Sequence, residues 1–250
     1  MAIERLGLAL LLGLTALMAL TLLAPAGALA AQPDPQGDAL AVARQHMVEQ
    51  IRARGINDPD VLAAVEAVPR HLFVPESERR AAYEDHPLPI GGGQTISQPY
   101  MVALMTSLLG IQPGQRVLEV GTGSGYQAAV LSRLGADVYS VEILAPLGRR
   151  AKSTLAELGY RNVHVRIGDG YKGWKDAAPF DGIIVTAAPK RIPEPLIAQL
   201  KTGAKMVIPV GDTLQDLLVL TKRADGGVDT AKVMPVLFVP MTGEAQKRQR

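Results

Sequence analysis

The amino-acid sequence predicts an α/β protein, in which a doubly wound, mostly parallel sheet follows an N-terminal helical cap and ends in an antiparallel strand pair. Strand and helix signals alternate from residue 116 to residue 210, which is typical of a parallel sheet with helices on both faces. Two further β-rich runs, Leu217 to Thr221 and Val233 to Val239, flank the turn signal Asp225-Gly226-Gly227 and predict the antiparallel pair. The chain has 250 residues, which is enough for one sizeable domain of this kind.

The first thirty residues differ in composition from the rest. An uncharged, leucine-rich stretch runs from Leu6 to Ala31 and contains Ala28-Leu29-Ala30, a small-x-small cleavage pattern. Residues 1–30 are therefore predicted to be a secretory signal peptide, and the expected location is exported or periplasmic, with the cytoplasm as the alternative. The apolar part from Leu6 to Leu23 is near the roughly 18 residues that span a bilayer, so an uncleaved membrane anchor stays open. Residues 31–37 are predicted to be a linker.

Residues 38–250 are predicted to form a single domain. Its first part, residues 38–112, holds the helical cap and a loop, and Asp38 and Asp58 are candidate N-caps of the first two helices. The elements predicted here are a helix over 38–54, a helix from 59 that ends at Pro69, a loop over 84–98 and a helix over 100–109.

The second part, residues 113–250, is predicted to be the cofactor-binding core with the C-terminal strands. Its predicted strands span 116–120, 137–141, 163–167, 181–185 and 205–210, and its predicted helices span 124–134, 145–158 and 193–200. In such a sheet, ligands bind beyond the carboxyl ends of the central strands, so the residues that follow each strand are the ones to inspect.

Composition excludes several kinds of site. The sequence contains no cysteine, which excludes disulfides, thiolate nucleophiles and zinc-cysteine sites. The four histidines, His46, His71, His86 and His164, lack metal-ligand spacing, so no metal is expected. The net charge is only +2 and the basic residues are scattered, so a nucleic-acid partner is not expected either.

The most informative motif is the glycine turn after the first strand of the core, Val117-Leu118-Glu119-Val120-Gly121-Thr122-Gly123-Ser124-Gly125-Tyr126. Glycines at alternate positions let the backbone turn sharply and approach a ligand closely. The dinucleotide fingerprint G-x-G-x-x-G requires glycine at position 126, where this chain has Tyr126. The turn instead resembles motif I of the methyltransferases that use S-adenosylmethionine. The alternative is a tight strand-to-helix turn that binds no ligand.

Acidic residues at two further strand ends extend this site. Glu142 follows the second strand of the core, where a carboxylate can accept hydrogen bonds from both ribose hydroxyls. Asp169 and Gly170 follow the third strand, where the acid could meet the adenine amino group. Alone, Glu142 could be a solvated acid at a helix start, and Asp169 could belong to an ordinary turn. Glu119 lies within a buried strand and requires donors nearby, and it could support the turn or the cofactor's ammonium group.

Outside the glycine turn, the chain resembles the protein-L-isoaspartate O-methyltransferase family from about His46 to Gly243. The segments that carry the resemblance are Val68-Pro69-Arg70, Phe73-Val74, Leu88-Pro89-Ile90-Gly91, Gln94-Thr95-Ile96-Ser97-Gln98-Pro99-Tyr100-Met101, the motif around Gly121, Gly168-Asp169-Gly170, Pro179-Phe180-Asp181, Ile184-Val185-Thr186-Ala187-Ala188-Pro189 and Phe238-Val239-Pro240. The glycine turn is common to many methyltransferases, whereas the loop around Ser97 and the strand end around Thr186 are far more specific. The leader at the amino terminus is not part of the family pattern.

The resemblance implies a Rossmann-like class I methyltransferase that transfers a methyl group from S-adenosylmethionine to the free α-carboxylate of L-isoaspartyl residues in damaged proteins and peptides. It implies Ser97 as the active-site residue, with Thr95 and Ile96 in the same wall and Phe238, Val239 and Pro240 along the substrate. An N-cap role is the alternative for Ser97, which precedes a predicted helix. The alternative functions are methylation of a small molecule or RNA, and a non-catalytic envelope protein that binds the cofactor. The chain is expected to act as a monomer.

Overall fold

The computed structural model describes residues 35–247, with side chains from residue 39 onward. The predicted signal peptide or anchor at residues 1–30 and the predicted linker up to residue 34 lie outside the described residues. In the described part of the chain, no helix has the length and apolar character needed to cross a membrane.

The helices and strands alternate through the core, as the sequence predicts. In chain order they are α1 (Pro35–Ala53), α2 (Pro59–Ala67), β1 (Leu88–Gly91), β2 (Gln94–Ile96), α3 (Pro99–Leu109), β3 (Arg116–Val120), α4 (Tyr126–Arg133), β4 (Asp137–Glu142), α5 (Ala145–Glu157), β5 (Val163–Ile167), β6 (Phe180–Val185), α6 (Glu194–Gln199), β7 (Leu200–Gly211), β8 (Gln215–Lys222), β9 (Val228–Val236) and α7 (Glu244–Lys247). Short 3-10 helices span Arg70–Phe73, Glu76–Ala81, Gly170–Lys172 and Lys175–Ala177.

Seven of these strands form one sheet in the order β5-β4-β3-β6-β7-β8-β9. The strands from β5 to β7 pair in parallel, whereas β7, β8 and β9 pair antiparallel. The chain leaves β3 for β4 on one side and later returns to β6 on the other, so the strand order reverses at β3. Such a reversal opens a crevice at the carboxyl ends of the two central strands, which is where doubly wound folds bind ligands.

Both faces of the central strands are buried, which explains their nearly continuous apolar sequences. On one face, Val117 and Ile184 pack with residues of α1 to α4, including Val65 and Val130. On the other face, a second cluster gathers around Leu118, together with Phe180, Ile183, Leu196, Met206 and Leu220. The two layers of helices hold the ends of β3, β4 and β6 in fixed positions, and those ends carry the candidate site.

The segment over 84–98, predicted to be a loop, contains a β-hairpin. Strands β1 and β2 pair antiparallel, with Leu88 opposite Ile96. Gly92 and Gly93 form the turn, and both have positive φ, at 62° and 70°. A two-residue hairpin turn favours this left-handed conformation at both central positions, so Gly-Gly between short apolar segments was a hairpin signal that the interpretation as a loop missed.

Several element boundaries also differ from the prediction; among them, β9 begins at Val228 and not at Val233. Helix α1 begins at Pro35, so Asp38 lies inside the helix and is not its N-cap. Strand β7 begins at Leu200 because that residue already pairs with Phe180 of β6. Strand β9 ends at Val236 and does not reach Val239, because Val236 pairs with Gln215, the first residue of β8, and no strand backbone continues beyond it.

Other predicted features are confirmed. Asp58 is the N-cap of α2, since its carboxylate accepts hydrogen bonds from the backbone amides of Asp60 and Val61 at 3.0 and 3.3 Å. The turn at residues 225–227 joins β8 and β9, which form the predicted antiparallel pair.

Candidate functional site

A cavity of about 260 Å³ opens at the carboxyl ends of β3, β4 and β6. It brings together the glycine turn, the end of β4, the loop around Ser97 and the segment after β9. Its lining residues are Gly92, Gln94, Thr95, Ile96, Ser97, Val102, Val120, Gly121, Thr122, Gly123, Ser124, Tyr126, Gln127, Val141, Glu142, Ile143, Leu144, Gly170, Thr186, Ala187, Val239, Pro240, Met241 and Thr242. Among these residues, Glu142 is the only one with a charged side chain.

The glycine turn is held by the two neighbouring strands. The Gly121 amide donates to the carbonyl of Val141 at 2.9 Å, and the Thr186 hydroxyl lies 2.7 Å from the carbonyl of Gly121, to which it donates. Gly121 has φ of 98°, and a Cβ atom there would lie only 2.4 Å from Thr186 Oγ1. Both the left-handed backbone and the contact with Thr186 therefore require glycine at position 121.

Gly125 serves packing and does not line the cavity. Its amide donates to the carbonyl of Thr122 at 2.8 Å and closes the turn before α4 begins. A Cβ atom at this position would lie 3.0 Å from the side chain of Leu155 in α5. Gly125 thus lets α4 and α5 approach each other, whereas Gly121, Thr122, Gly123 and Ser124 line the cavity.

The carboxylate of Glu142 is buried and oriented by two backbone amides. Its Oε2 accepts from the Gly123 amide at 2.8 Å, and its Oε1 accepts from the Leu144 amide at 2.8 Å. The side chain is therefore not the solvated acid of the alternative interpretation. Each carboxylate oxygen has a second lone pair free to accept a ligand hydroxyl, so the residue suits the two hydroxyls of a ribose.

Glu119 lies below the turn, outside the cavity lining, and is connected to it through hydroxyl groups. The Ser140 hydroxyl donates to Oε2 of Glu119 and accepts from the Thr122 hydroxyl, and all three side chains are buried. Burial raises the pKa of Glu119 to about 8, opposed by the Ser140 hydrogen bond and reinforced by the negative charge of Glu142. Glu119 is therefore mostly protonated at neutral pH and supports the turn through this chain of hydrogen bonds.

The structure gives different roles to the two neighbouring residues Asp169 and Gly170, which the sequence assigned to one site. Gly170 lines the cavity, and a Cβ atom there would lie 2.5 Å from Val120 Cγ1, so no larger residue fits. Asp169 is absent from the lining: its Oδ1 accepts from the Tyr171 amide at 3.0 Å and its Oδ2 accepts from the Glu244 amide at 2.8 Å. Asp169 thus connects the end of β5 to the start of α7.

Ser97, Thr95 and Ile96 all line the same cavity as the glycine turn, at the end of the hairpin formed by β1 and β2. Ser97 is not the N-cap of α3. That position belongs to Gln98, whose side chain makes no capping hydrogen bond, and the amide of Tyr100 donates instead to Asp85 Oδ1 at 2.9 Å. The hydroxyl of Ser97 is therefore not engaged in capping the helix.

The segment after β9 forms the remaining wall. Val239 and Pro240 line the cavity, and Phe238 lines an adjoining groove that also includes Thr95 and Ser97. The segment is attached to the end of β6 through Ala188, whose amide donates to Val239 and whose carbonyl accepts from Met241, both at 2.8 Å. The structure thus brings the predicted substrate residues to the mouth of the predicted cofactor pocket.

Sequence reasoning did not assign Thr186 or Asp85 a role in the site. Thr186 follows β6, so the rule that pointed to the ends of β3, β4 and β5 applies to it equally. Asp85 carried no local signal, because the amide that it caps lies 15 residues further along the chain. Within residues 35–247, no group of three or more acidic and histidine side chains is arranged to hold a metal ion.

Comparison with known proteins identifies the family. Residues 42–246 match the sequence profile of the family described as protein-L-isoaspartate(D-aspartate) O-methyltransferase. The chain belongs to this family. Two curated protein-L-isoaspartate O-methyltransferases are similar to it: one from Gloeobacter violaceus is 58% identical over 78% of this chain and 96% of its own length, and one from a Polaromonas species is 57% identical over 75% and 90%.

Solved structures agree with this assignment. A protein-L-isoaspartate O-methyltransferase superimposes with a TM-score of 0.75 and 29% identity, covering 82% of this chain and 69% of its own. A Plasmodium falciparum protein described as a methyltransferase of the same kind, solved with S-adenosyl-L-homocysteine, gives a TM-score of 0.70 and 26% identity over 80% and 98%. The isoaspartyl methyltransferase fold thus extends over most of the described chain.

Proposed function

We propose that this chain transfers a methyl group from S-adenosylmethionine to the free α-carboxylate of L-isoaspartyl residues in damaged proteins and peptides. The observation that carries the proposal is the single cavity that joins Glu142 and the glycine turn to the loop around Ser97. Membership of the isoaspartyl methyltransferase family supports the same acceptor.

S-adenosylmethionine supplies an activated methyl group on a sulfonium. The buried carboxylate of Glu142 accepts the ribose hydroxyls, and the small residues of the glycine turn let the ligand lie against the backbone. Gly170, which follows β5, lines the same cavity without a side chain, where the adenine ring would lie. These features fit the methyl donor and need no metal.

The acceptor carboxylate needs no general base, because it is already ionised at neutral pH. One of its oxygens attacks the methyl carbon while the bond from that carbon to sulfur breaks, which leaves a methyl ester and S-adenosylhomocysteine. Glu142 is the only charged lining residue, so the cavity contributes alignment and exclusion of water and no catalytic base. Ser97 lines the same cavity as the turn, where its hydroxyl can orient the carboxylate.

The ester then leads to repair without further help from the protein. The backbone nitrogen of the following residue attacks the ester carbonyl, methanol leaves, and a succinimide ring forms. Hydrolysis of the ring returns a part of the population to a normal aspartyl linkage. The protein therefore only needs to form the ester.

The proposal is tested by incubating the protein with labelled S-adenosylmethionine and two peptides that differ only in an isoaspartyl or an aspartyl residue. We expect base-labile label in the isoaspartyl peptide alone. Equal labelling of both peptides, or none, contradicts the proposal. Label in RNA or in a small molecule would favour another acceptor. Binding of S-adenosylhomocysteine without any transfer would favour a non-catalytic protein.

The cellular context is a separate proposal, and its export part rests on the composition of residues 1–30 alone. We propose that this segment directs export and that the remaining chain acts as a monomer with isoaspartyl proteins as substrates and without a nucleic-acid partner. Determination of the amino-terminal residue in fractionated cells tests the first part. An intact Met1 in the cytoplasmic fraction contradicts export, and an intact Met1 in the membrane fraction indicates an anchor. The molar mass measured by light scattering tests whether the remaining chain is a monomer.

A further inference from the structure

The segment that follows β9 crosses the top of the sheet without a strand beside it. Strand β9 ends at Val236, at the edge of the sheet. Only a few residues later, Val239 and Met241 form backbone hydrogen bonds with Ala188, which follows β6. Between these two points, Phe238 has a backbone amide and carbonyl with no neighbouring strand to pair with. Backbone groups in such a half-buried position require partners.

The side chain of Gln215 provides both partners. Its Oε1 accepts from the Phe238 amide at 2.7 Å, and its Nε2 donates to the Phe238 carbonyl at 3.0 Å. A carboxamide has the same donor and acceptor groups as a peptide unit, so Gln215 substitutes for one residue of a paired strand. The side chain is only 6% exposed, so water cannot easily replace these two bonds.

Gln215 also joins the same segment to the rest of the site. It is the first residue of β8, and its backbone pairs with Gly211 at the end of β7 and with Val236 at the end of β9. Phe238 itself lies in the groove that Thr95 and Ser97 share. The Gln215 carboxamide therefore fixes Phe238 relative to the loop around Ser97, next to the point where Val239 and Met241 are bonded to Ala188.

We propose that Gln215 is a positioning residue for the acceptor substrate, because its carboxamide holds the backbone of Phe238 in the groove that also includes Thr95 and Ser97. This inference rests on the proposed function. It concerns the peptide side of the cavity alone, because Gln215 lies outside the cavity that binds the methyl donor. Loss of the two bonds weakens peptide recognition and leaves the affinity for the methyl donor unchanged.

The test compares the wild-type full-length chain with Gln215→Met, which keeps the length of the side chain and removes the two hydrogen bonds to Phe238 together with a longer one to the Asp212 carbonyl at 3.4 Å. We expect the KM for an isoaspartyl peptide to rise about tenfold, as the loss of one to two net hydrogen bonds implies. The Kd of S-adenosylhomocysteine, measured by calorimetry, should stay within about twofold of wild type, a difference that corresponds to less than one net hydrogen bond.

Gln199 offers a matched control. It is 5% exposed, its Oε1 accepts from the Trp174 amide at 2.7 Å, and its Nε2 donates to the Lys172 carbonyl at 2.8 Å. Gln199→Met thus removes bonds of the same kind away from the substrate groove, and it should lower stability without raising the KM for the peptide. An equal rise in KM for both variants overturns the inference, because it indicates general loosening of the fold.

Gln215→Glu adds a signature that a purely structural role would not show. An ionised carboxylate can accept from the Phe238 amide but repels its carbonyl, whereas a protonated carboxyl group can do both. The KM of this variant, relative to wild type at the same pH, should therefore fall as the pH is lowered from about 8 towards 5, near the range where a glutamate gains its proton. A ratio that does not change with pH overturns the inference.

Failure of the two proposals can be distinguished. If the wild type does not methylate isoaspartyl peptides, the proposed function is wrong and the inference falls with it. If the wild type is active and Gln215→Met retains its KM, only the role of Gln215 is wrong. A loss of S-adenosylhomocysteine affinity that matches the rise in KM also contradicts the inference.

Discussion

The guanidinium group of Arg70 lies over the ring of Tyr126, with Cζ 4.8 Å from the ring centroid, and both side chains are buried. Arg70 Nε donates to the Ala82 carbonyl at 2.7 Å, and burial lowers the pKa of Arg70 to about 10. Tyr126 is the first residue of α4, directly after the glycine turn. The ring thus connects a buried cation in the N-terminal cap to the start of the cofactor site.

Two substitutions at Tyr126 separate the ring from its hydroxyl. Tyr126→Leu removes the ring beneath a buried cation and should lower the free energy of unfolding by about 2–4 kcal/mol. Tyr126→Phe keeps the ring and removes a buried hydroxyl that has no hydrogen-bond partner among the described residues, so it should change stability by less than about 1 kcal/mol. Urea denaturation measures both, and equal losses would show that the ring contact is not the important one.

The pKa of Glu119 predicts a pH-dependent stability. Burial raises this pKa from its ordinary value to about 8, so the folded protein holds a proton that the unfolded chain releases above its own lower pKa. The contribution of Glu119 to the free energy of unfolding is fully present in acid and is lost as the pH rises towards 8. The free energy of unfolding changes by at most about 1.4 kcal/mol per pH unit for this one group.

The variant Glu119→Gln isolates this contribution, because glutamine does not titrate. The difference in free energy of unfolding between Glu119→Gln and wild type should increase in favour of the variant from about pH 5 to about pH 8. Urea midpoints at several pH values in this range provide the measurement. A difference that stays constant across the range would mean that Glu119 is ionised in the folded state.

Ser97→Ala distinguishes an active-site hydroxyl from a helix cap. Turnover of the isoaspartyl peptide should fall by about tenfold or more, as expected for loss of one hydrogen bond to the reacting carboxylate, while S-adenosylhomocysteine binding is retained. Asp85→Ala is the comparison variant, because it removes the acceptor of the Tyr100 amide together with the ion pair to Arg54 and the hydrogen bond from Gln98, and it should lower stability by about 1 kcal/mol or more. If Ser97→Ala loses stability and keeps its turnover, the hydroxyl supports the fold and takes no part in the transfer.

Gly121→Ala tests the close contact between the glycine turn and Thr186. A Cβ atom would lie 2.4 Å from Thr186 Oγ1, so the turn must shift, and the affinity for S-adenosylhomocysteine should fall by about tenfold or more, which is 1.4 kcal/mol or more. Gly114→Ala is the control, because Gly114 also has positive φ but no atom within 4 Å of an added Cβ. The control should lose about 1–2 kcal/mol of stability and no cofactor affinity. Comparable affinities in both variants would contradict the role of the contact.

The sequence by itself determined the alternating α/β order, the strand that carries the glycine turn, and the positions of Glu142 and the loop around Ser97. These features are local, because apolar periodicity marks a strand and the turn follows from glycines next to it. The acceptor substrate was inferred from the family resemblance, because no spacing of residues in the sequence identifies it. The hairpin of β1 and β2 could also have been predicted, since Gly92 and Gly93 mark its turn.

Only the tertiary structure decided how the two halves of the site are held together. The contacts of Thr186 with Gly121, of Asp85 with Tyr100 and of Gln215 with Phe238 each join a side chain to backbone that lies 65, 15 and 23 residues away. The same holds for Asp169, whose carboxylate binds an amide 75 residues further along the chain. Such bonds leave no periodic signal in the sequence, because they depend on how the sheet and its helices bring distant segments into register.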